Sequence, residues 1–127
     1  MAQTTVLIVD DALFMRSRIR DILTGSGRFE VLGEAASALE ALEMFVRLRP
    51  QVVTMDIVMP GMDGIEATRR ILAIDPGVSV VMCSGQGEDA LVIESIAAGA
   101  KDFIVKPFSA ERVLDVLTNI VDGSDQG

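Results

Sequence analysis

Five short aliphatic runs alternate with stretches of helical period, and that alternation leaves few folds open. The runs are VLIV (Val6 to Val9), FEVL (Phe29 to Leu32), VVTM (Val52 to Met55), VSVVM (Val78 to Met82) and DFIV (Asp102 to Val105). Several are apolar at successive positions, as in strands of a parallel sheet covered by helices on both faces. Between them, Met15, Ile19, Ile22 and Leu23 fall at i, i+4, i+7 and i+8, and Ala38, Ala41, Leu42 and Phe45 share one helix face. Ala110, Val113, Leu114, Leu117 and Val121 form a last apolar stripe. The helix expected at about 64–73 has the weakest pattern, with only Ile65, Ile71 and Leu72 as large apolar residues. Ser37 and Ser109 suit N-caps and Gly99 a C-cap. A β-α unit repeated five times predicts an α/β fold, a doubly wound parallel sheet with right-handed crossovers.

The chain has 127 residues, the size of one domain, and half of them are hydrophobic. One domain is expected over 1–121, with DGSDQG at 122–127 as a polar tail. A net charge of −8 makes nucleic acid and anionic membrane surfaces poor partners. No apolar run approaches the ~20 residues of a membrane span, and the N-terminus lacks a signal-peptide pattern. A single cysteine, Cys83, rules out an internal disulfide and suits a reduced, cytoplasmic setting. The chain has no histidine, which excludes a Ser-His-Asp triad and a histidine-rich metal site. Any phosphohistidine chemistry must therefore use a partner's histidine.

In an open parallel α/β sheet, ligands bind beyond the carboxyl ends of the strands. The first run ends at Asp10 and Asp11, the third at Asp56, the fourth at Cys83, Ser84 and Gly85, and the fifth at Lys106 and Pro107. The second ends in Gly33, Glu34 and Ala35, with no comparable group close to its end. If runs one, three, four and five are neighbours, three carboxylates, a hydroxyl and an amine share one rim. Two carboxylates ~4 Å apart repel by about 4 kcal/mol at an effective dielectric near 20. Three of them call for a cation, and hard oxygen ligands on an open rim suit Mg²⁺, with Mn²⁺ as an alternative. Plainer roles also exist. Asp10 or Asp11 can cap the next helix, Lys106 can be a solvated lysine, and Ser84 an ordinary strand-end hydroxyl. Asp63 reads as a helix cap, and Met82 and Cys83 as core. Pro60-Gly61 fits the centre of a type II turn, and Gly64 suits close packing.

At VLIVDD, VVTMDIVMPGMDG, MCSG and DFIVKPF the chain resembles the receiver domain of two-component response regulators, over essentially its whole length. The resemblance implies a flavodoxin-like (βα)5 fold of strand order 2-1-3-4-5, an order taken from the family, whose chemotaxis receiver is a standard example. It implies Asp56 as phosphoryl acceptor. Asp11, Asp56 and the Val58 backbone carbonyl become metal ligands, with Asp10 helping through water. It further implies that Lys106 pairs with an acceptor or phosphoryl oxygen, that Ser84 donates to the phosphoryl group, and that Phe103 is the aromatic switch. Lys106-Pro107 matches the family's cis bond. Val58 and Gln86 occupy positions that tune access of the hydrolytic water.

The function so implied is a stand-alone, monomeric receiver. It is phosphorylated by a sensor histidine kinase and acts by binding a target such as the flagellar motor switch, with a phosphatase as a further partner. The segment CSGQGEDALVIESIAAGAKDFIVKPF looks most like the chemotaxis type. The alternatives are a phosphorelay intermediate or phosphate sink, and a Mg²⁺-dependent phosphatase of the haloacid-dehalogenase type. The last requires Asp-x-Asp, whereas Val58 stands two residues past Asp56.

Overall fold

The structure, a computed structural model, describes residues 2–85 and 88–123. The chain runs β1 (Thr4–Val9), α1 (Leu13–Ser26), β2 (Phe29–Ala35), α2 (Ala38–Leu48), β3 (Val52–Asp56), α3 (Gly64–Ile74), β4 (Ser79–Ser84), α4 (Asp89–Ala97), β5 (Asp102–Val105) and α5 (Ala110–Gly123). All strand pairs are parallel and the sheet order is β2-β1-β3-β4-β5. This is the flavodoxin-like order expected.

Alternate residues of each strand serve two separate cores. Leu7, Val9, Val53, Met55, Val80 and Met82 pack against Ala38, Ala41 and Phe45 of α2 and Ile65, Ala67 and Ile71 of α3. Val6, Ile8, Val52, Val81, Cys83 and Ile104 pack against Ile19 and Leu23 of α1 and Val113, Val116 and Leu117 of α5. Filling both faces of β3 leaves all five of its residues buried, so the chain cannot slip there without exposing one core or the other.

Several boundaries differ from the sequence expectation. β2 runs on to Ala35, because β1 keeps pairing with it past a bulge between Val6 and Leu7. β4 begins at Ser79 and continues to Ser84, where Val105 of β5 extends the ladder. α5 includes Asp122 and Gly123, and Asp122 pairs with Arg28 at 3.2 Å, so the helix outlasts the expected 121 boundary by two residues. α3 forms despite its poor pattern because small residues bury well. Gly64, Ala67 and Thr68 are all in the core, and the Thr68 hydroxyl donates to the Gly64 carbonyl at 2.7 Å. The helix caps follow expectation. Ser37 accepts from Glu40 N–H, Asp63 from Glu66 N–H and Ser109 from Arg112 N–H. Gly99 takes a φ of 110° just past α4, where its N–H reaches the Ile96 carbonyl. Among the described residues, no helix is long and apolar enough to cross a membrane.

Gly64 ties the fold to the sheet's carboxyl rim. Its N–H bonds the Ile57 carbonyl at 2.9 Å, and a Cβ there would stand 2.0 Å from the Asp56 carbonyl oxygen. Gly64→Ala is expected to cost at least about 2 kcal/mol by overpacking. A urea midpoint lowered at unchanged slope would show it, and an unchanged midpoint would mean that the loop yields freely.

Candidate functional site

The carboxyl rim collects the residues that the sequence places there. Each arrives at the end of a different strand: Asp10 and Asp11 after β1, Asp56 as the last residue of β3, Ser84 as the last of β4, and Lys106 after β5. Register makes them neighbours, since Val9 pairs with Met55, Asp56 with Cys83, and Ser84 with Val105. Carboxylate oxygens of Asp10, Asp11 and Asp56 all lie within 4.8 Å of one another. Asp10 and Asp56 are nearly sealed, at 1% and 5% exposure, while Asp11 faces solvent.

Lys106 stands between the two buried acids. Its Nζ is 2.6 Å from Asp10 Oδ2 and 3.5 Å from Asp56 Oδ1. The sequence reading pairs it with Asp56, but the closer partner is Asp10. The reason is desolvation: an almost fully buried carboxylate needs a counter-charge more than any other group nearby. Asp10 does not cap α1, whose N-cap is Ala12 without a side-chain cap bond; its Oδ1 instead accepts the Ala12 N–H at 2.9 Å, closing the turn that leads into the helix. The Lys106 main chain is anchored separately, its N–H donating to the Ser84 carbonyl at 2.8 Å.

Charge balance at the rim is incomplete. Burial pushes the Asp56 carboxyl from an ordinary 3.8 up to about 6; Lys106 opposes this, and Asp10 and Asp11 add to it. For Lys106, burial favours the neutral amine, but the Asp10 hydrogen bond and the charges of Asp56 and Asp10 outweigh it and hold the ammonium above its usual range. One lysine thus faces three carboxylates. An oxygen-only cluster of this size, with one open edge at Asp11, fits a small hard cation that keeps some of its water. Cys83, opposite Asp56 in the ladder, is inert: burial pushes its thiol up to about 12.

The remaining expected residues divide. Val58 lies just past β3 and is 57% exposed. Phe103 is buried in the core layer of α2 and α3. Ser84 is buried at the strand end. Gln86 lies outside the described residues. The Lys106-Pro107 bond is cis, as expected.

Sequence reasoning missed Glu34. It stands near the end of β2, where no group comparable to the other strand ends was expected. Its carboxylate takes Arg16 Nε at 3.1 Å on one oxygen and Arg20 Nε on the other. Burial works against its ionisation, but hydrogen bonds from Arg20 and Arg16 prevail and hold its carboxyl below the usual range. Arg16 in turn donates to the Asp10 carbonyl at 2.8 Å, so Glu34 braces the β1–α1 turn. The signal was available: Arg16 and Arg20 are four apart, on one face of α1.

Fold and rim together define a receiver-type domain. A family model described as "Response regulator receiver domain" matches residues 6–118, and the chain belongs to that family. It is 53% identical over 115 residues to the chemotaxis protein CheY of Thermotoga maritima, covering 91% of this chain and 95% of that protein. With CheY of Bacillus subtilis it shares 50% over 117 residues, covering 92% and 97%. Among solved structures, the CheX–CheY–BeF3–Mg²⁺ complex from Borrelia burgdorferi contains a chain that superimposes with a TM-score of 0.89 at 36% identity, covering 93% of this chain and 89% of that one. The chain is a signalling receiver of the chemotaxis type, and the comparisons favour none of the alternative functions.

The raised Asp56 pKa has a stability consequence. A group whose folded pKa lies above its unfolded value gives stability that is complete below about pH 4 and is lost as pH rises through about 6. Without divalent cation, Asp56→Asn should therefore be more stable than wild type at pH 7.5, by roughly 1–3 kcal/mol. The gap should close as pH falls to 4. Thermal melts across that range measure it, and a pH-independent gap would contradict the electrostatic account.

Proposed function

We propose that the protein accepts a phosphoryl group on Asp56 from the phosphohistidine of a sensor kinase, and that the phosphorylated form binds a target protein with altered affinity. The observation that carries this reading is Asp56 itself. It is a carboxylate at the open carboxyl end of a buried strand, with a lysine 3.5 Å away and two further acids within chelating distance.

Asp10, Asp11 and Asp56 are the side chains that would hold Mg²⁺, or Mn²⁺ in its place, with the Val58 carbonyl as a further ligand. When bound, the cation neutralises the acids and the charge on the incoming phosphoryl oxygens. An Asp56 carboxylate oxygen forms the bond to phosphorus while the phosphorus–nitrogen bond of the partner's histidine breaks. The electron pair returns to the departing imidazole, and the product is an acyl phosphate. Lys106 offsets negative charge on the transferred group, and Ser84 donates to it. The chain's share of catalysis is positioning and electrostatics. The Borrelia neighbour, with Mg²⁺ and BeF3, a group of phosphoryl-like size and charge, supports the same assignment.

The response is a population shift. Ser84 moves toward the phosphoryl group, Phe103 repacks from the buried position it already holds rather than turning inward, and the surface of α4, β5 and α5 changes its affinity for the target. Relatives named for chemotaxis make the flagellar motor switch the favoured target. CheX, bound to CheY in the Borrelia complex, exemplifies a second protein partner, and a phosphatase is a natural one for a labile acyl phosphate. Action in the cytoplasm as a monomer completes the reading, with Val58 and Gln86 setting how long the phosphoryl group survives.

Incubation with Mg²⁺ and a small phosphoryl donor, followed by mass spectrometry, tests the acceptor. Labelling should map to Asp56, fail without divalent cation and vanish in Asp56→Asn; wild-type labelling of that variant refutes the assignment. Lys106→Ala should still be labelled yet switch incompletely. Phe is the only aromatic residue type, five in all, so ring resonances give a simple readout. A full wild-type shift of the Phe103 ring in phosphorylated Lys106→Ala would remove the lysine from the switch.

A further inference from the structure

Helix α1 carries three arginines at alternate positions, Arg16, Arg18 and Arg20. Arg16 and Arg20 face β2 and Glu34. Arg18 points to the other side. Its Nη2 donates to the Phe108 carbonyl at 3.0 Å, across ninety positions of sequence. Its guanidinium carbon also lies 5.6 Å from the centre of the Phe108 ring, a cation–π distance. Phe108 itself is buried between α1 and α5.

Phe108 follows Lys106 by two residues. The segment is therefore held at the Lys106 N–H by the Ser84 carbonyl and, two residues on, at the Phe108 carbonyl by Arg18. Asp10 is pinned through its carbonyl to Arg16, two residues from Arg18 on the same helix. One rigid element thus holds both loops whose side chains meet in the 2.6 Å Lys106–Asp10 pair.

We propose that Arg18 is a positioning residue for Lys106: by clamping Phe108 to α1, it sets where the ammonium stands between Asp10 and Asp56. Arg18 acts through the loop, since the groups it holds are the Phe108 carbonyl and ring. The catalytic consequence rests on the reading that Lys106 serves the transferred phosphoryl group. The geometric consequence, a displaced ammonium, does not.

The test uses Arg18→Met, which keeps an aliphatic stem and removes the guanidinium. In metal-free protein without donor, the Lys106 ammonium resonance should shift or broaden relative to wild type. At saturating Mg²⁺ with acetyl phosphate, Asp56 labelling should slow about three- to tenfold, the worth of one ordinary hydrogen bond. In a Lys106→Ala background, Arg18→Met should alter the labelling rate by less than about twofold, because coupled residues are not additive. Arg18→Lys should not restore the rate, since one ammonium does not supply both the bond and the planar stack. An unmoved Lys106 resonance, or an equal loss in both backgrounds, overturns the proposal. If Arg18→Met does not fold, Phe108→Leu removes the stacked ring and leaves the carbonyl. It should move the Lys106 resonance in the same direction by less, and no movement there counts against the clamp. Failure of wild type to label would refute the Asp56 reading, while the resonance still decides the clamp.

Discussion

The contact between Lys106 and Asp10 organises the rim. Neither partner is comfortable alone: Asp10 is sealed from water, and the lysine stem is drawn inward with it. Placing them 2.6 Å apart offsets two desolvation penalties at once. It also ties the end of β1 to the end of β5, across ninety-six positions of sequence. Asp56 has only a more distant share of the ammonium, at 3.5 Å, which opposes but does not overcome the burial that pushes its carboxyl up to about 6. The site is held in a state that a cation relieves. That tension, rather than any single strong bond, is what makes the rim receptive.

Rigidity behind the rim makes such a tension sustainable. β3 is buried on both faces, so Asp56 cannot retreat along the strand axis. Gly64 lets α3 start against the Asp56 carbonyl, where any other residue would push the two apart. On the opposite face, α1 and α5 share a core with Ile104, which lies two residues before Lys106. The two cores therefore meet only at the sheet. A change beside Phe103 bears on the layer of α2 and α3, whereas a change beside Phe108 bears on that of α1 and α5.

Much of this was legible in the sequence because it depends on period and order. Strand ends, helix stripes, the Ser37, Asp63 and Ser109 caps and the convergence of Asp10, Asp11, Asp56, Ser84 and Lys106 all follow from local pattern plus a parallel sheet. The strand order itself came from family resemblance. Pairwise geometry was not legible. Whether Lys106 favours Asp10 or Asp56 is decided by depth of burial, which no spacing encodes. The brace at Glu34 was overlooked because β2 extends through its bulge farther than its aliphatic run, and α3 looked weak because small residues pack well without a hydrophobic signature.

Cys83 has a consequence for selectivity among nucleophiles. It is the ladder neighbour of Asp56, and sulfur in its ionised form attacks most electrophiles faster than a carboxylate does. Burial pushes its thiol up to about 12, so the thiolate is scarce at neutral pH. The side chain is moreover shut into the layer of α1 and α5. A sulfur nucleophile beside Asp56 is thereby kept silent at the rim. The same sulfur makes the native protein indifferent to thiol reagents, so its gain of reactivity is a direct reporter of the sheet coming apart.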